Sequence, residues 1–470
     1  MSKNSQNSDG HGHRLSMGGQ AGAAAGVAVA AVPHVHAAED NAIRVALIGC
    51  GFRGTGAVSN ALSVEGVPVR LVAMADLFPN RIESSLKNLT SAVDARYDRL
   101  AHEGFERQID VGPDRQFVGF DAYKKAMDCL RPGDIAILAT PLAFRWLHFG
   151  YAVAKGLNVF MEKPLTADAV TSRHLLEINR QAEAKNLKVA VGLMSRHARN
   201  LQQLYQRVRD GELGDILLMR AYRMHGPGGT AFSQRWPGTP SELLWQIQRF
   251  HSFIWAGGGV FSDFYIHLID HCCWLKDAWP VKALGLGGRH DRGNCVDQNF
   301  DFYNVEYTFA DGTKLRFNGR CMHGTFSQFA SYLHGSKACA IASRINDCGG
   351  PSSMFQGQSF DKTAQVWQSE VPPREISPYQ NHWNALIAAV VEGRPFNEVE
   401  AGVMASLVTS MGRKAAHTGT EVTLDEMLAS TEEYAPGLDQ WTEDSAPPLR
   451  SDAEGRYPVP QPGIVTDREY

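Results

Sequence analysis

Apolar residues fall into short, continuous runs in the first half of this chain and into alternating patterns in the second half. Four runs, at residues 44–48, 68–75, 134–139 and 158–161, are bounded by polar residues, glycine or proline. Short apolar runs of this kind are typical of strands that are buried on both faces of a parallel sheet. Because a helical segment at residues 56–62 follows the first run, we predict an α/β fold for this half.

Polar and apolar residues alternate from residue 300 to residue 317. Asp311-Gly312 interrupts this alternation as a hairpin turn does, so two paired antiparallel strands are predicted there. Two helices are predicted at residues 379–391 and 400–417, the second ending before Gly419. The tail from residue 435 is rich in proline and acidic residues, and we expect it to wrap the domain or a neighbouring subunit rather than form its own core.

A glycine-rich turn lies between the first predicted strand and the helix that follows it. In a dinucleotide-binding turn the first glycine makes the tight bend, the second lets the backbone approach a pyrophosphate, and the third lets helix and strand pack closely. The phosphates lie on the free N–H groups of the helix N-terminus. The spacing predicts a dinucleotide site that includes Gly49, Gly51, Phe52, Arg53 and Gly54.

Asp76 ends the second apolar run, about 20 residues beyond Gly54. A carboxylate at this place accepts hydrogen bonds from the ribose hydroxyls of NAD and disfavours the 2′-phosphate of NADP. Arg81 is near enough in sequence to bind a 2′-phosphate, so NADP remains the alternative cofactor. Asp76 also has a structural alternative, as a cap for a helix that begins at residue 79.

Polar motifs follow the third and fourth runs, namely Thr140-Pro141 and Glu162-Lys163-Pro164. Ligands bind at the carboxyl ends of the strands in open parallel sheets. We therefore expect the cofactor and Lys163 to meet at one edge of the sheet.

In this order, the motifs resemble those of the Gfo/Idh/MocA oxidoreductases, a family that includes glucose–fructose oxidoreductase and inositol dehydrogenase. The resemblance runs from about residue 44 to about residue 422, and the glycine turn combined with Glu162-Lys163-Pro164 is its most specific part. It implies a Rossmann domain followed by an α/β domain with a large, open, mostly antiparallel sheet. The motifs are residues 48–51, 75–76, 140–141, 156–159, 162–164 and 211–216.

The same resemblance implies an NAD-dependent oxidoreductase that acts on a hydroxyl of a sugar, glycoside or cyclitol, and a homo-oligomer, either a dimer or a tetramer. On the basis of this resemblance, we expect the chain to divide into four parts. These are a leader (1–40), a Rossmann domain (41–165), a substrate and oligomerisation domain (166–435) and the tail (436–470). Between residues 81 and 120 the chain is longer than the family pattern, which indicates a helical, charged insertion.

Asp263 and His267 are four residues apart on a predicted helix, so both project from one face. They are similar to a family pair that lies beside the nicotinamide with the motif lysine. Oxidation of a secondary alcohol requires a base at the hydroxyl oxygen. His267 has a suitable pKa for this role, Lys163 would stabilise the developing alkoxide, and Asp263 would bind a neighbouring hydroxyl and position the histidine. The structural alternative is a helix-surface pair beside a solvated lysine.

Four further residues are predicted to line the pocket from their position in the sequence. Trp245 would stack on a sugar ring or, alternatively, belong to the core, with Arg249 and His251 nearby in sequence, while Arg196 follows an apolar run at a strand end. Arg145 takes the place of a family histidine that contacts the cofactor. His267 and His271 have the spacing of a metal pair, but no third ligand is evident, so no metal is expected.

The leader combines a polar start, a mild apolar run at residues 21–32 and a small-x-small exit at Val35-His36-Ala37. This arrangement is typical of a secretory signal. It resembles a twin-arginine signal in which His13-Arg14 replaces the arginine pair, so we expect export to the periplasm. The alternative is a cytoplasmic enzyme with a disordered leader.

Composition narrows the partners. A net charge of −4 with 20% charged residues gives no basic stripe for nucleic acid, and no apolar run suits a membrane-spanning helix in the mature protein. The eight cysteines have no CxxC spacing, so free thiols are expected.

Two other functions remain open. The first is an NAD-dependent glycoside hydrolase or lyase that uses transient oxidation and elimination, with Tyr265 or His251 as a second base. The second is a non-catalytic sugar or cofactor sensor, which would have no need of Lys163, Asp263 and His267 together.

Overall fold

The computed structural model describes residues 41–91, 104–290, 292–370 and 377–470. The apolar runs of the first half form a six-stranded parallel sheet in the order β3-β2-β1-β4-β5-β6. Its strands are β1 (Ile43–Ile48), β2 (Val69–Asp76), β3 (Gln116–Val118), β4 (Ile135–Leu138), β5 (Asn158–Met161) and β6 (Val189–Val191). The strand order reverses between β1 and β4, which is where ligands bind in such sheets.

Helices cover both faces of this sheet with two separate apolar clusters. The helices of the described chain are α1 (Phe52–Leu62), α2 (Pro79–Thr90), α3 (Ala122–Asp128), α4 (Arg145–Ala154), α5 (Ala169–Ala184), α6 (Arg199–Arg209), α7 (Glu242–Gln248), α8 (Ile254–Gly257), α9 (Gly259–Lys276), α10 (Pro378–Glu392), α11 (Val399–Thr418) and α12 (Leu424–Ala429).

A second sheet of nine strands has the order β14-β13-β12-β11-β7-β10-β9-β8-β15. Its strands are β7 (Ile216–His225), β8 (Lys282–Gly288), β9 (Phe302–Thr308), β10 (Lys314–Cys321), β11 (Gln328–Gly335), β12 (Ala338–Ser343), β13 (Ser353–Gln356), β14 (Gln365–Gln368) and β15 (Val422–Thr423). Among the described strands of this sheet, only β7 and β10 pair in parallel. This confirms the predicted fold of a Rossmann-like sheet and a mostly antiparallel one, including the hairpin at Asp311-Gly312.

The parallel sheet extends beyond the expected boundary at residue 165. Strand β6 pairs with β5, and α10 from the far end of the chain packs on the same apolar cluster as β1 through Trp383, Leu386 and Ile387. The Nδ2 of Asn60 on α1 also donates to Oε1 of Gln380 at 3.1 Å. The first domain is therefore completed by residues that follow the second sheet.

The described part of the predicted insertion begins as a helix. Helix α2 forms its first part, part of the remainder lies outside the described residues, and residues 104–118 form short turns and the edge strand β3. The predicted leader also lies outside the described residues. All eight cysteines are free thiols, and no described helix has the length and apolarity needed to cross a membrane.

The tail packs against its own chain. Leu438 and Tyr457 are buried in a cluster with Trp245 and Phe253. Glu469 is 1% exposed, and its carboxylate is held by the partners that surround it. These are Arg413 (Nη2 to Oε1, 2.9 Å; Nε to Oε2, 2.9 Å), His417 (Nδ1 to Oε2, 2.7 Å) and the hydroxyl of Tyr434 (to Oε1, 2.9 Å).

Arg413 links this tail contact to the start of α9. Its Nη1 donates to the carbonyl oxygen of Gly258 at 3.1 Å and to Oγ of Ser262 at 2.6 Å. Because Ser262 precedes Asp263, Glu469 supports the helix that carries two of the proposed catalytic side chains.

Candidate active site

A cavity of about 600 Å³ lies at the carboxyl edge of the parallel sheet, where the strand order reverses. Its volume is typical of a cofactor or substrate site. One end is lined by the glycine turn and by Asp76, and the other by residues of α9 and β7. Thr140, Pro141, Glu162 and Lys163 line the wall between these ends, so the expected meeting of these strand ends is present.

The geometry of the glycine turn matches the needs of a bound pyrophosphate. Gly49 has φ of +96°, and a Cβ there would lie 2.6 Å from the carbonyl carbon of Ala139. A Cβ on Gly54 would lie 2.1 Å from the carbonyl oxygen of Gly49. A Cβ on Gly51 would meet nothing within 4 Å, which leaves open space before the first residue of α1. The N-terminus of α1 therefore faces a space that suits an anionic diphosphate.

Asp76 ties the end of β2 to the glycine turn. Its Oδ2 accepts from the backbone N–H of Cys50 at 2.7 Å, and its Oδ1 accepts from that of Phe78 at 3.0 Å. Burial raises the pKa of Asp76, against the effect of these hydrogen bonds. Asp76 and Arg81 both line the cavity, so the ribose contact remains a prediction alongside this structural role.

Arg145 and His148 form the wall beneath the end of β4. The Nη1 of Arg145 donates to the carbonyl oxygen of Leu138 and its Nη2 to that of Thr140, the latter at 2.6 Å. Nδ1 of His148 lies 3.2 Å from Oγ1 of Thr140. Burial lowers the pKa of Arg145 to about 10 and that of His148 to about 3. Arg145 thus holds the strand end, and His148 presents a neutral imidazole.

Arg53 joins the glycine turn to the Glu-Lys-Pro motif. Its Nε donates to Oε1 of Glu162 at 3.0 Å, and its guanidinium lies over the ring of Tyr379, 4.4 Å from the centroid. The two motifs that are most specific in the sequence are therefore in direct contact.

Lys163 meets α9 through its ammonium group. Nζ donates to the main-chain oxygen of Asp263 at 2.6 Å and to its Oδ1 at 3.2 Å. The contact joins the edge of the parallel sheet to the helix in front of the second sheet. The predicted grouping of Lys163, Asp263 and His267 around one cavity is thus present.

The second partner of Asp263 is His251, which the sequence did not predict, and the positioning of His267 by Asp263 stays a prediction. Oδ2 of Asp263 lies 3.2 Å from Nε2 of His251. The backbone N–H of Thr230 donates to Nδ1 of His251 at 3.2 Å, so Nε2 carries the proton that faces the carboxylate. Burial raises the pKa of Asp263, but Lys163 and His251 outweigh it and hold that pKa below its usual range.

His267 is 6% exposed and lines the cavity. Its Nδ1 is enclosed and has no hydrogen-bond partner among the described residues, so we infer that Nε2 is the nitrogen that meets the substrate. Burial, followed by the charges of Lys163 and Arg223, holds the pKa of His267 well below its usual range. The imidazole is therefore neutral at ordinary pH.

Three of the four further pocket residues lie elsewhere. Arg196 donates to both carboxylate oxygens of Asp270, at 3.0 and 2.7 Å, because its side chain meets α9 about two turns beyond Asp263. Trp245 is buried against Phe253, with ring centroids 5.5 Å apart, as its core alternative predicted. Arg249 is exposed and outside the cavity wall. His251 does line the cavity.

Arg223, Thr230 and Asp347 also line the cavity, and sequence reasoning missed all three. Arg223 belongs to β7, and Asp347 lies in the connection between β12 and β13. Their placement depends on strand register and on a loop, neither of which has a motif. An expected alternation along β7 was the one signal that could have marked Arg223.

His197, His382 and Glu398 form the cluster whose composition could hold a metal ion. Nε2 of His197 lies 2.8 Å from Oε1 of Glu398, and Nε2 of His382 lies 2.7 Å from Oε2. The two rings are stacked, with centroids 3.9 Å apart and planes at 14°. Each imidazole meets its own oxygen of the carboxylate, which favours a hydrogen-bonded link between α10 and the start of α11. His271 is held separately by Oγ of Ser331 at 2.8 Å.

No protein-family model matches this chain. Among curated relatives, the rhizopine catabolism protein MocA of Rhizobium meliloti is 26% identical over 197 residues, which are 42% of this chain and 55% of that protein. An inositol 2-dehydrogenase of Corynebacterium glutamicum is 25% identical over 295 residues, 61% of this chain and 80% of that protein. These relatives confirm the resemblance to the Gfo/Idh/MocA oxidoreductases.

A solved structure shows the same fold at low sequence identity. Levoglucosan dehydrogenase, in complex with NADH and levoglucosan, aligns with a TM-score of 0.58 and 16% identity, covering 82% of this chain and 99% of that one.

Proposed function

We propose that this protein is an NAD(P)-dependent oxidoreductase that transfers hydride between nicotinamide and a secondary hydroxyl of a sugar, glycoside or cyclitol. The observation that carries this proposal is that Lys163, Asp263 and His267 surround the cavity whose other end is the glycine turn. The dehydrogenases among the relatives and the NADH complex among the similar structures support it.

The residues present fit a dinucleotide. The open space at Gly51 and the N-terminus of α1 suit the diphosphate, and Asp76 with Arg81 lies where the adenosine ribose would be bound. The nicotinamide, when bound, supplies the hydride acceptor or donor.

The protein side chains would handle the proton. His267, held neutral, takes the hydroxyl proton at Nε2 as the carbon–hydrogen bond breaks. Lys163 Nζ donates a hydrogen bond to the oxygen as negative charge develops on it. Asp263 holds Lys163 at 3.2 Å, and His251 fixes the carboxylate of Asp263 from the other side at 3.2 Å.

A panel assay tests the function. NAD reduction is followed with sugars, glycosides and cyclitols, while release of the aglycone is measured in the same samples. Reduction without aglycone release supports the proposal. Release of aglycone without net reduction would support the hydrolase or lyase instead, and cofactor binding without either reaction would support a sensor.

We expect NAD to bind more tightly than NADP, because the carboxylate of Asp76 would repel a 2′-phosphate. Calorimetric titration of the protein with each cofactor measures this. Asp76→Asn removes the charge while keeping one hydrogen-bond acceptor. It should narrow the difference between the affinities for NAD and NADP. Equal or tighter binding of NADP to the unchanged protein would show that Arg81 determines the cofactor preference by binding the 2′-phosphate.

We further propose that the protein is exported to the periplasm, on the signal-like pattern of residues 1–40. Fusion of residues 1–45 to a reporter that is active only outside the cytoplasm should give activity, and deletion of residues 21–32 should reduce it. A reporter that stays in the cytoplasm would refute export without touching the enzyme assignment.

A homo-oligomer is also proposed. The outer side of the second sheet exposes Leu284 and Leu286 on β8 and Phe302 on β9, an apolar surface that a second copy could cover. The molar mass in solution, measured by light scattering, tests this.

A further inference from the structure

Resting on the function proposed above, we propose that the substrate is a neutral polyol and that Asp347 selects it, by accepting hydrogen bonds from hydroxyls next to the one that reacts. Asp347 lies between β12 and β13, opposite Arg223 on β7. Both side chains line the cavity, with 14% and 15% of their surfaces exposed.

Arg223 is held in one orientation. Its guanidinium lies between the rings of Phe264 and Phe329, 5.4 and 4.7 Å from their centroids. Nη1 donates to the main-chain oxygen of Phe264 and, at 3.1 Å, to Oδ1 of Asp347. Because Arg223 is fixed in this way, its contact with Asp347 holds the carboxylate at the cavity wall.

This ion pair neighbours the catalytic one. Phe264, which contacts Arg223, directly follows Asp263 along α9, and the charge of Arg223 contributes to the lowered pKa of His267. A substrate whose reacting hydroxyl meets His267 and Lys163 would therefore bring adjacent hydroxyls to Asp347 and Arg223.

The charges at this end of the cavity balance. It contains two ion pairs, Lys163 with Asp263 and Arg223 with Asp347, and each of these cations has a carboxylate oxygen within 3.2 Å. A carboxylate or phosphate on the substrate would find each of these cations already paired, and displacing a partner would leave a buried carboxylate without compensation. A hydroxyl both donates and accepts, so it can bind the pair as it stands.

Substitution of Asp347 tests the inference through substrate preference. Glucose and myo-inositol serve as neutral probes, and glucuronate as the carboxylate-bearing counterpart of glucose. The unchanged protein should oxidise a neutral probe with much lower KM than glucuronate. Asp347→Ala should raise KM for the neutral probe by about tenfold to a hundredfold, the size of a lost hydrogen bond to a charged group, with little change in kcat.

The same substitution frees Arg223, so KM for glucuronate should fall. Asp347→Asn keeps the shape of the side chain and an acceptor oxygen. It should also raise KM for the neutral probe and lower KM for glucuronate, but by smaller factors than Asp347→Ala. This variant provides the test if the alanine variant folds poorly. Glu421→Gln, in the surface pair with Lys282 (2.8 Å), is the matched control and should leave the preference unchanged.

The outcomes separate this inference from the proposed function. Equal use of glucuronate and glucose by the unchanged protein, or Asp347 variants that lose stability but keep the same ratio of KM values, would overturn the role of Asp347. Absence of NAD binding in calorimetry, together with no reduction by any probe, would overturn the oxidoreductase assignment itself.

Discussion

Replacement of Lys163 by methionine should lower the turnover rate by about a hundredfold or more, the usual effect of losing a group that assists proton transfer. The ammonium group lies 3.2 Å from Oδ1 of Asp263 at the cavity wall, where it can stabilise a developing alkoxide. Affinity for NAD should change little, because the ammonium group of Lys163 is directed at Asp263 and not at the glycine turn that would bind the diphosphate. Lys155→Met, in the surface pair with Asp128 (2.8 Å), is the control and should keep full activity.

His267→Ala should cause a loss of similar size, and the double variant should lose less than the product of the two, because both groups act on one hydroxyl. Since the pKa of His267 is held well below its usual range, its neutral form persists as the pH falls below about 6.5. Protonation of His267 should therefore reduce kcat/KM only at still lower pH. Turnover that survives in His267→Ala would move the base to another residue, and His251 would be the first to test.

Glu469→Ala should cost about 3–5 kcal/mol in the free energy of unfolding, because it leaves the buried guanidinium of Arg413 without its carboxylate. Both side chains are at most 1% exposed. Asp467→Ala, two residues earlier and paired with Arg468 on the surface (3.3 Å), is the matched control and should have little effect. Denaturant unfolding followed by fluorescence measures both variants. Equal stability of the two would show that the tail contributes little.

Acid should act through the same carboxylate. Burial raises the pKa of Glu469, but Arg413 and His417 outweigh it, so the folded-state pKa is lowered. The contribution of Glu469 to stability is therefore fully present above the unfolded pKa of about 4.3 and is lost as the pH falls below it. The difference in stability between the unchanged protein and Glu469→Ala should shrink over that range.

The secondary-structure elements that could be predicted are those marked by a local sequence pattern. The apolar runs that became β1, β2, β4 and β5 were evident, as were the glycine turn and the hairpin at Asp311-Gly312. Lys163 and α9 could be brought together because a motif marks each of them. The apolar run before Arg196 became β6, whereas the three-residue strand β3 is too short to show a period.

Side-chain direction was not predictable for the other pocket residues. Arg196 and Trp245 lie in the expected region of the sequence, but Arg196 turns to Asp270 and Trp245 turns into the core. The pairing of Asp263 with His251 depends on how residues 229–257 pack in front of α9. This is tertiary packing, which no local sequence pattern predicts. Asp347 depends on a loop and has no sequence signal at all.

The late position of α10 in the chain constrains how the protein is made. A nascent chain that has emerged as far as β6 has all six strands of the parallel sheet, but the apolar face that Trp383, Leu386 and Ile387 cover is still bare. Glu469 reaches Arg413 only after residue 469 itself has left the ribosome. The dinucleotide-binding half should therefore remain aggregation-prone during synthesis and need shielding until α10 has emerged, and a gene fragment covering residues 41–191 should give an insoluble product.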